Sequence, residues 1–179
     1  MPLDTATLLI EADGGCGMSM QHQRPADERA RRLAAANINP ATGLASDYLN
    51  HFNEAIMLLE MLSSCPECMV DFQAWKPVSY RDHFAASKFR DRALAIEAYD
   101  TADPAIRGRL DRLAERMSEI LEATRAALAG EQTPDETATV VYRAVVNLKR
   151  LVANAGAVIN GDSDEEPAPQ IAADVAMRR

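Results

Sequence analysis

The sequence predicts an all-α domain: a helical bundle of about five or six helices, with two long ones forming an antiparallel hairpin at the C-terminal end. Three observations carry this. Alanine, leucine and methionine are common while aromatics make up only 5%, and unbranched side chains lose little rotamer freedom in a helix. Strand signals are few, and the longest β-branched run, Thr137 to Val146, also fits a helix. Two long segments near the C-terminus repeat apolar residues at spacings of three and four.

The elements follow in order. Residues 1–23 read as a flexible segment containing Asp13-Gly14-Gly15-Cys16-Gly17, with Met18 or Met20 as possible alternative starts. Those glycines lack the GxGxxG spacing of a dinucleotide fingerprint. A single helical domain is expected over residues 24–160. Its first helix spans about Pro25 to Ala36, with the proline in the first turn. Asn37-Ile38-Asn39-Pro40 then forms a turn-rich connection, because the residue before a proline avoids the helical region. Ser46 is the expected N-cap of a second helix running to about Leu62. Pro66 can open a short helix through Met69, Val70, Phe72 and Trp75, which Lys76-Pro77 stops.

Ser79-Tyr80-Arg81-Asp82 resembles a capping box with Asp in place of Glu or Gln, and helical pattern resumes through Phe84, Phe89, Ala93 and Ile96. Asp103-Pro104 is an N-cap followed by proline at the first helical position. Ile106, Leu110, Leu113, Met117, Ile120 and Leu121 form the stripe of that helix, and Gly130 stands where a left-handed C-terminal glycine is expected. Thr133-Pro134-Asp135-Glu136 opens the last helix with a capping box. Its stripe, Val141, Val145, Leu148, Val152, Ala155 and Ile159, is a packing seam. Residues 161–179 read as an acidic, mobile tail.

The formal charge is −8, which disfavours nucleic-acid partners, since these need clustered cations. Arg24, Arg29, Arg31 and Arg32 form a local basic patch. No apolar run approaches the ~18 residues of a membrane span. Three cysteines are too few and too odd for a disulfide framework, which fits a reducing, cytoplasmic setting.

The chemistry-bearing residues gather around the second helix. At ~100° per residue, Asp47, Asn50, His51 and Glu54 share one polar stripe, whose ordinary reading is a solvated face. The sharper reading is metal binding by His51 and Glu54, near neighbours on one face. Glu-x-x-His, the motif of carboxylate bundles, does not occur. No cofactor is expected; a zinc set of Cys65, Cys68, His83 and His51 has acceptable ligand types, but its outer spacings are loose and this chain does not lack the core that a structural zinc usually replaces. Cys65-Pro66-Glu67-Cys68 also has the spacing of a redox dithiol, without the βαβ setting such motifs occupy. Beyond the polar stripe, Met57, Leu58 and Met61 continue its line and need a cover, either from this chain or from another. Trp75 is a core anchor or, if exposed, an interface hot spot.

From His51 to Leu62 the chain faintly resembles the dimerisation helix of histidine kinases and their phosphotransfer relatives. Phe52 and Asn53 replace the acid expected directly after the histidine. The resemblance implies phosphoryl acceptance at His51. Separately, the block from Asn37-Ile38-Asn39-Pro40 through His51-Phe52-Asn53-Glu54 to Arg81-Asp82-His83-Phe84 is similar to a group of small uncharacterised bacterial helical proteins, over about residues 37–100. That resemblance implies no activity. The expected role is therefore non-catalytic: a regulatory or scaffolding protein that meets a protein partner, or itself, through Met57, Leu58, Met61 and Trp75.

Overall fold

A computed structural model describes residues 20–130 and 132–162, with side chains described from residue 26 onward. The expectations for residues 1–19 and 163–179 lie outside the described residues. Among the described residues seven α-helices occur and no strand: α1 Met20–Ala35, α2 Leu49–Met61, α3 Cys68–Ala74, α4 Tyr80–Ala86, α5 Arg92–Thr101, α6 Pro104–Leu128 and α7 Pro134–Asn160. The architecture is an all-α bundle, with more helices than the five or six expected.

The extra helix has a local cause. The pattern through Phe84 to Ile96 breaks at Ser87, which is extended (φ −73°, ψ 160°). Its hydroxyl donates to the Phe84 carbonyl at 2.9 Å and accepts from the Phe89 amide at 3.2 Å. One side chain thus serves the end of α4 and the entry to α5, as small hydroxyl residues do when they compete with helix.

Other termini confirm or correct the sequence signals. Asp103 accepts from the amides of Ala105 and Ile106, and Thr133 and Glu136 form a full capping box. Ser79 accepts from the Asp82 amide. Ser46 is not an N-cap: it begins a 3₁₀ turn, Ser46–Tyr48, that leads directly into α2. Gly130 is not left-handed either. Residue 129 closes α6 in right-handed geometry, and the Gln132 side chain donates to the Ala127 carbonyl instead. The left-handed terminal glycine is Gly161 (φ 80°), beyond which the Asp162 amide returns to the Ala157 carbonyl at 3.0 Å. Helix α1 starts at Met20, so it includes residues 20–23 of the segment expected to be flexible.

Helices α6 and α7 pack along one another and are joined only by residues 129–133. Such a short link allows long helices to lie side by side only by doubling back. Helix α2 lies against α7 in the opposite direction: Leu49 approaches Gly156, Glu60 pairs with Lys149 at 2.6 Å, and Leu62 reaches the level of Val141 and Val145. Phe52, Phe72, Tyr80, Phe84, Leu110, Met117, Leu121 and Leu148 are fully buried at the centre.

The connection between α1 and α2 is itself part of this core. Ile38, Thr42, Leu44 and Ala45 are buried, so their backbone groups need partners. The Asn39 amide donates to the Leu44 carbonyl and the Gly43 amide to the Asn39 carbonyl. The Ala45 amide donates to the Tyr80 hydroxyl at 2.9 Å, and the Thr42 hydroxyl donates to the Ile159 carbonyl at 2.7 Å. Gly43 is left-handed (φ 72°), and a Cβ there would stand 2.9 Å from the Ala98 carbonyl oxygen.

Thr42→Val keeps the shape but deletes the buried hydroxyl, and is expected to cost about 1–3 kcal/mol. Gly43→Ala adds both left-handed strain and the contact with Ala98, and is expected to cost at least as much, about 1–3 kcal/mol. Urea denaturation of both variants, with exposed Arg116→Ala as a control expected to move by less than about 0.5 kcal/mol, checks this ranking.

Candidate functional site

Three places hold the residues that the sequence marks as chemical. The first is a cluster of rings where α2, α3 and α4 meet. His51 comes from α2, Trp75 from the end of α3 and His83 from α4. The His51 ring stacks on Trp75, with centroids 4.6 Å apart and planes 21° apart. Its Nε2 donates to the Lys76 carbonyl at 3.0 Å; a carbonyl only accepts, so this contact places the imidazole proton on Nε2. Trp75 in turn donates from Nε1 to the His51 carbonyl at 3.2 Å, and Arg125 donates to the Trp75 carbonyl at 2.6 Å. His83 lies 6.1 Å from His51, ring centre to ring centre, and meets the edge of Tyr48 at 5.6 Å.

This geometry corrects the solvated-stripe reading. Asn50 and Glu54 are exposed, but His51 is half-buried. Burial holds its pKa below the ordinary 6.5. The Lys76 carbonyl and Glu54 pull the other way, and His83 adds to the lowering. Burial also lowers His83, against the opposing pull of Asp47. Desolvation penalises the charged form, and here it outweighs the neighbouring acids. Trp75 is 8% exposed and anchors this cluster, so it presents no free face to a partner.

The neighbouring tyrosines belong to the same layer. Tyr48 donates to the Val78 carbonyl at 3.0 Å, and Tyr99 donates to Asp111 at 2.7 Å. Burial, with Asp111 beside it, pushes Tyr99 up to about 12. Burial likewise raises Tyr48 and Tyr80. These hydroxyls stay protonated and act as fixed hydrogen-bonding groups.

The second place is the turn between α2 and α3. Cys65 is half-exposed and Cys68 is buried; both are free thiols, with their sulfurs 2.8 Å apart. The zinc set foreseen from sequence does not assemble. His51 meets His83 and Cys65 meets Cys68, but no group of three or more His, Cys, Asp or Glu able to hold a metal ion occurs among the described residues. The Nε2 of His51 is engaged by a backbone carbonyl.

The third place is a groove of about 700 Å³ between the end of α2 and the start of α7. Leu59, Leu62, Val141 and Val145 form its apolar part, with Pro134, Thr137 and Ala138 along the α7 side. Tyr142 at its rim is 70% exposed. Nearby in sequence, Met57, Met61 and Val146 are also exposed, at 52%, 39% and 49%. Leu58 is only partly exposed and packs against the core. Helix α7 therefore exposes two apolar residues that the sequence reading did not single out as surface, Tyr142 and Val146. Their signal was a four-residue apolar spacing lying off the main seam of α7. Comparison of the chain with protein-family models, curated proteins and solved structures finds no match.

The two lowered histidines give a pH dependence of known sign. Between the folded-state value and 6.5, the unfolded chain binds more protons than the folded one, so stability declines as pH falls through that window and levels off below it. The melting temperature is expected to drop as pH falls through the ordinary histidine value of 6.5, and His51→Gln is expected to flatten the slope. Trp75 is the sole tryptophan, so its fluorescence should titrate with His51 in the wild type and lose that step in the variant.

Proposed function

We propose that the protein acts without catalysis, as a regulatory or scaffolding protein whose α2–α7 groove receives an amphipathic helix from a protein partner. The groove carries the reading. It joins an apolar floor to the exposed ring of Tyr142, and the same two helices expose Met57, Met61 and Val146 elsewhere on their surfaces. An apolar groove with an exposed aromatic at its rim is the kind of surface that marks an interaction site. Helix-walled grooves take partner helices through anchors spaced three and four residues apart. Methionine adapts to irregular partner surfaces and tyrosine supplies contact area at low entropic cost.

Charge narrows the partner. Glu60 at the groove is already paired with Lys149, but Asp135 and Glu136 lie in the first turn of α7 beside Pro134. The chain as a whole carries −8. A partner helix with basic residues flanking its apolar stripe is complementary to this surface, and charge of this kind speeds encounter more than it tightens binding.

A photo-crosslinking residue at Tyr142 should capture a partner that the same residue at Arg116 does not. A peptide covering the captured segment should bind the purified wild type, and a Met61→Glu/Tyr142→Glu variant should weaken it at least tenfold, about 1.4 kcal/mol, with its helical circular dichroism unchanged. Equal binding by the variant would refute the groove as the docking surface. Light scattering that shows a dimer dissolved by the same variant would assign the groove to a second copy of this chain instead.

A further inference from the structure

The thiols of Cys65 and Cys68 are not used by the groove or by the ring cluster, and their placement is specific. The Cys68 amide donates to the Cys65 carbonyl at 3.0 Å and closes a single tight turn around Pro66 and Glu67. The Cys65 amide is itself bonded back to the Met61 carbonyl at 2.8 Å, which ties the turn to the last residues of α2. Proline fixes one dihedral inside the turn. The two sulfurs are thus held 2.8 Å apart by backbone on both sides, against about 2.05 Å in a disulfide. Less than an ångström of sulfur movement separates the dithiol from the bonded pair.

The two sulfurs also differ in access. Cys65 is half-exposed, whereas Cys68 is 7% exposed. That is the division of labour a thiol–disulfide exchange requires, with an accessible attacking sulfur and a sheltered resolving one. The loop they would close contains only two intervening residues. A crosslink stabilises chiefly by restricting the unfolded chain, and this effect grows with loop length. So small a loop gives a bond that is readily reduced again, unlike a structural staple.

We propose that Cys65 and Cys68 form a reversible dithiol–disulfide site that exchanges with low-molecular-weight disulfides. The Cys65 thiolate attacks one sulfur of the small disulfide. A mixed disulfide forms at Cys65 and the first small thiolate leaves, taking up a proton. The Cys68 thiolate then attacks Cys65 Sγ, closing the Cys65–Cys68 bond and releasing the second small thiolate. Two protein thiols are oxidised, and one small disulfide is reduced to two thiols. The hydrogen bond with Cys68 and, secondarily, burial hold Cys65 up to about 11, so the exchange rate should rise with pH across the neutral and mildly alkaline range.

The test uses the full chain carrying Cys16→Ser, which leaves these two cysteines alone among the three. Reduced protein is equilibrated in buffers of reduced and oxidised glutathione, quenched with acid, and read by free-thiol titration and peptide mass mapping. The expected result is loss of two thiol equivalents, a mass lower by two hydrogens on the peptide containing Cys65 and Cys68, and unchanged circular dichroism. Reducing the buffer should restore both thiols. Cys68→Ser is expected to stop at a stable glutathione adduct on Cys65. Cys65→Ser is expected to react at least tenfold more slowly, because the remaining sulfur is buried. The proposal is overturned if both thiols persist across the glutathione range, if they pair only after denaturation, or if Cys65→Ser is modified as fast as Cys68→Ser.

Discussion

The hydrogen bond from the Thr42 hydroxyl to the Ile159 carbonyl, buried and 2.7 Å long, ties the two ends of the described fold together. A loop buried between helices has no water for its backbone groups, and each unpaired group costs free energy comparable to a lost hydrogen bond. The α1–α2 connection meets that demand with contacts to three different elements: Ile159 near the end of α7, the Tyr80 hydroxyl on α4, and close approach of Gly43 to the Ala98 carbonyl on α5. The arrangement also serves α7, whose final carbonyls have no partners within the helix. The Thr42 methyl lies near the position a Cβ would take at Gly161. Packing of α2 along α7 follows, because the loop sets where α2 begins.

With α2 so placed, the surroundings of His51 follow from packing. A helical wheel sets the angle of a side chain but does not say what arrives opposite it. The end of α3 brings Trp75 onto the His51 ring, and the Lys76 carbonyl accepts a hydrogen bond from its Nε2. The result is a histidine kept neutral by burial and used as a packing and hydrogen-bonding group, at an angle where exposure was the simplest expectation. The same arrangement separates His51 from Cys65 and Cys68, which share residue types suited to one metal but not one place.

The last turns of α2 carry two features with different physical bases. Leu59 and Leu62 help to line the groove against α7, while Met57 and Met61 stay exposed. A few residues later the chain turns so tightly that two sulfurs come within hydrogen-bonding distance. The groove depends on tertiary packing of α2 against α7, whereas the thiol pair depends on one local turn. A perturbation of either can therefore be read separately from the other.

The sequence by itself determined the helical class and the limits of the long helices. Caps act through side chains two or three residues from the backbone groups they satisfy, so Asp103 and the Thr133–Glu136 box were legible directly. The apolar seam of α7 was legible for the same reason of short range, since its period is a property of one helix. Ser46 and Gly130 misled because a capping residue type states only a preference. At Ser46 a 3₁₀ turn intervened, and beyond α6 Gln132 served the free carbonyl that a left-handed glycine would have helped to satisfy. Only the tertiary structure decided that Trp75 is covered, that His51 is stacked and half-buried, and that Tyr142 stands at the groove. Burial is set by which surfaces meet across the chain, and residues 24 to 117 positions apart, such as His51 with Trp75 and Thr42 with Ile159, leave no mark in local spacing.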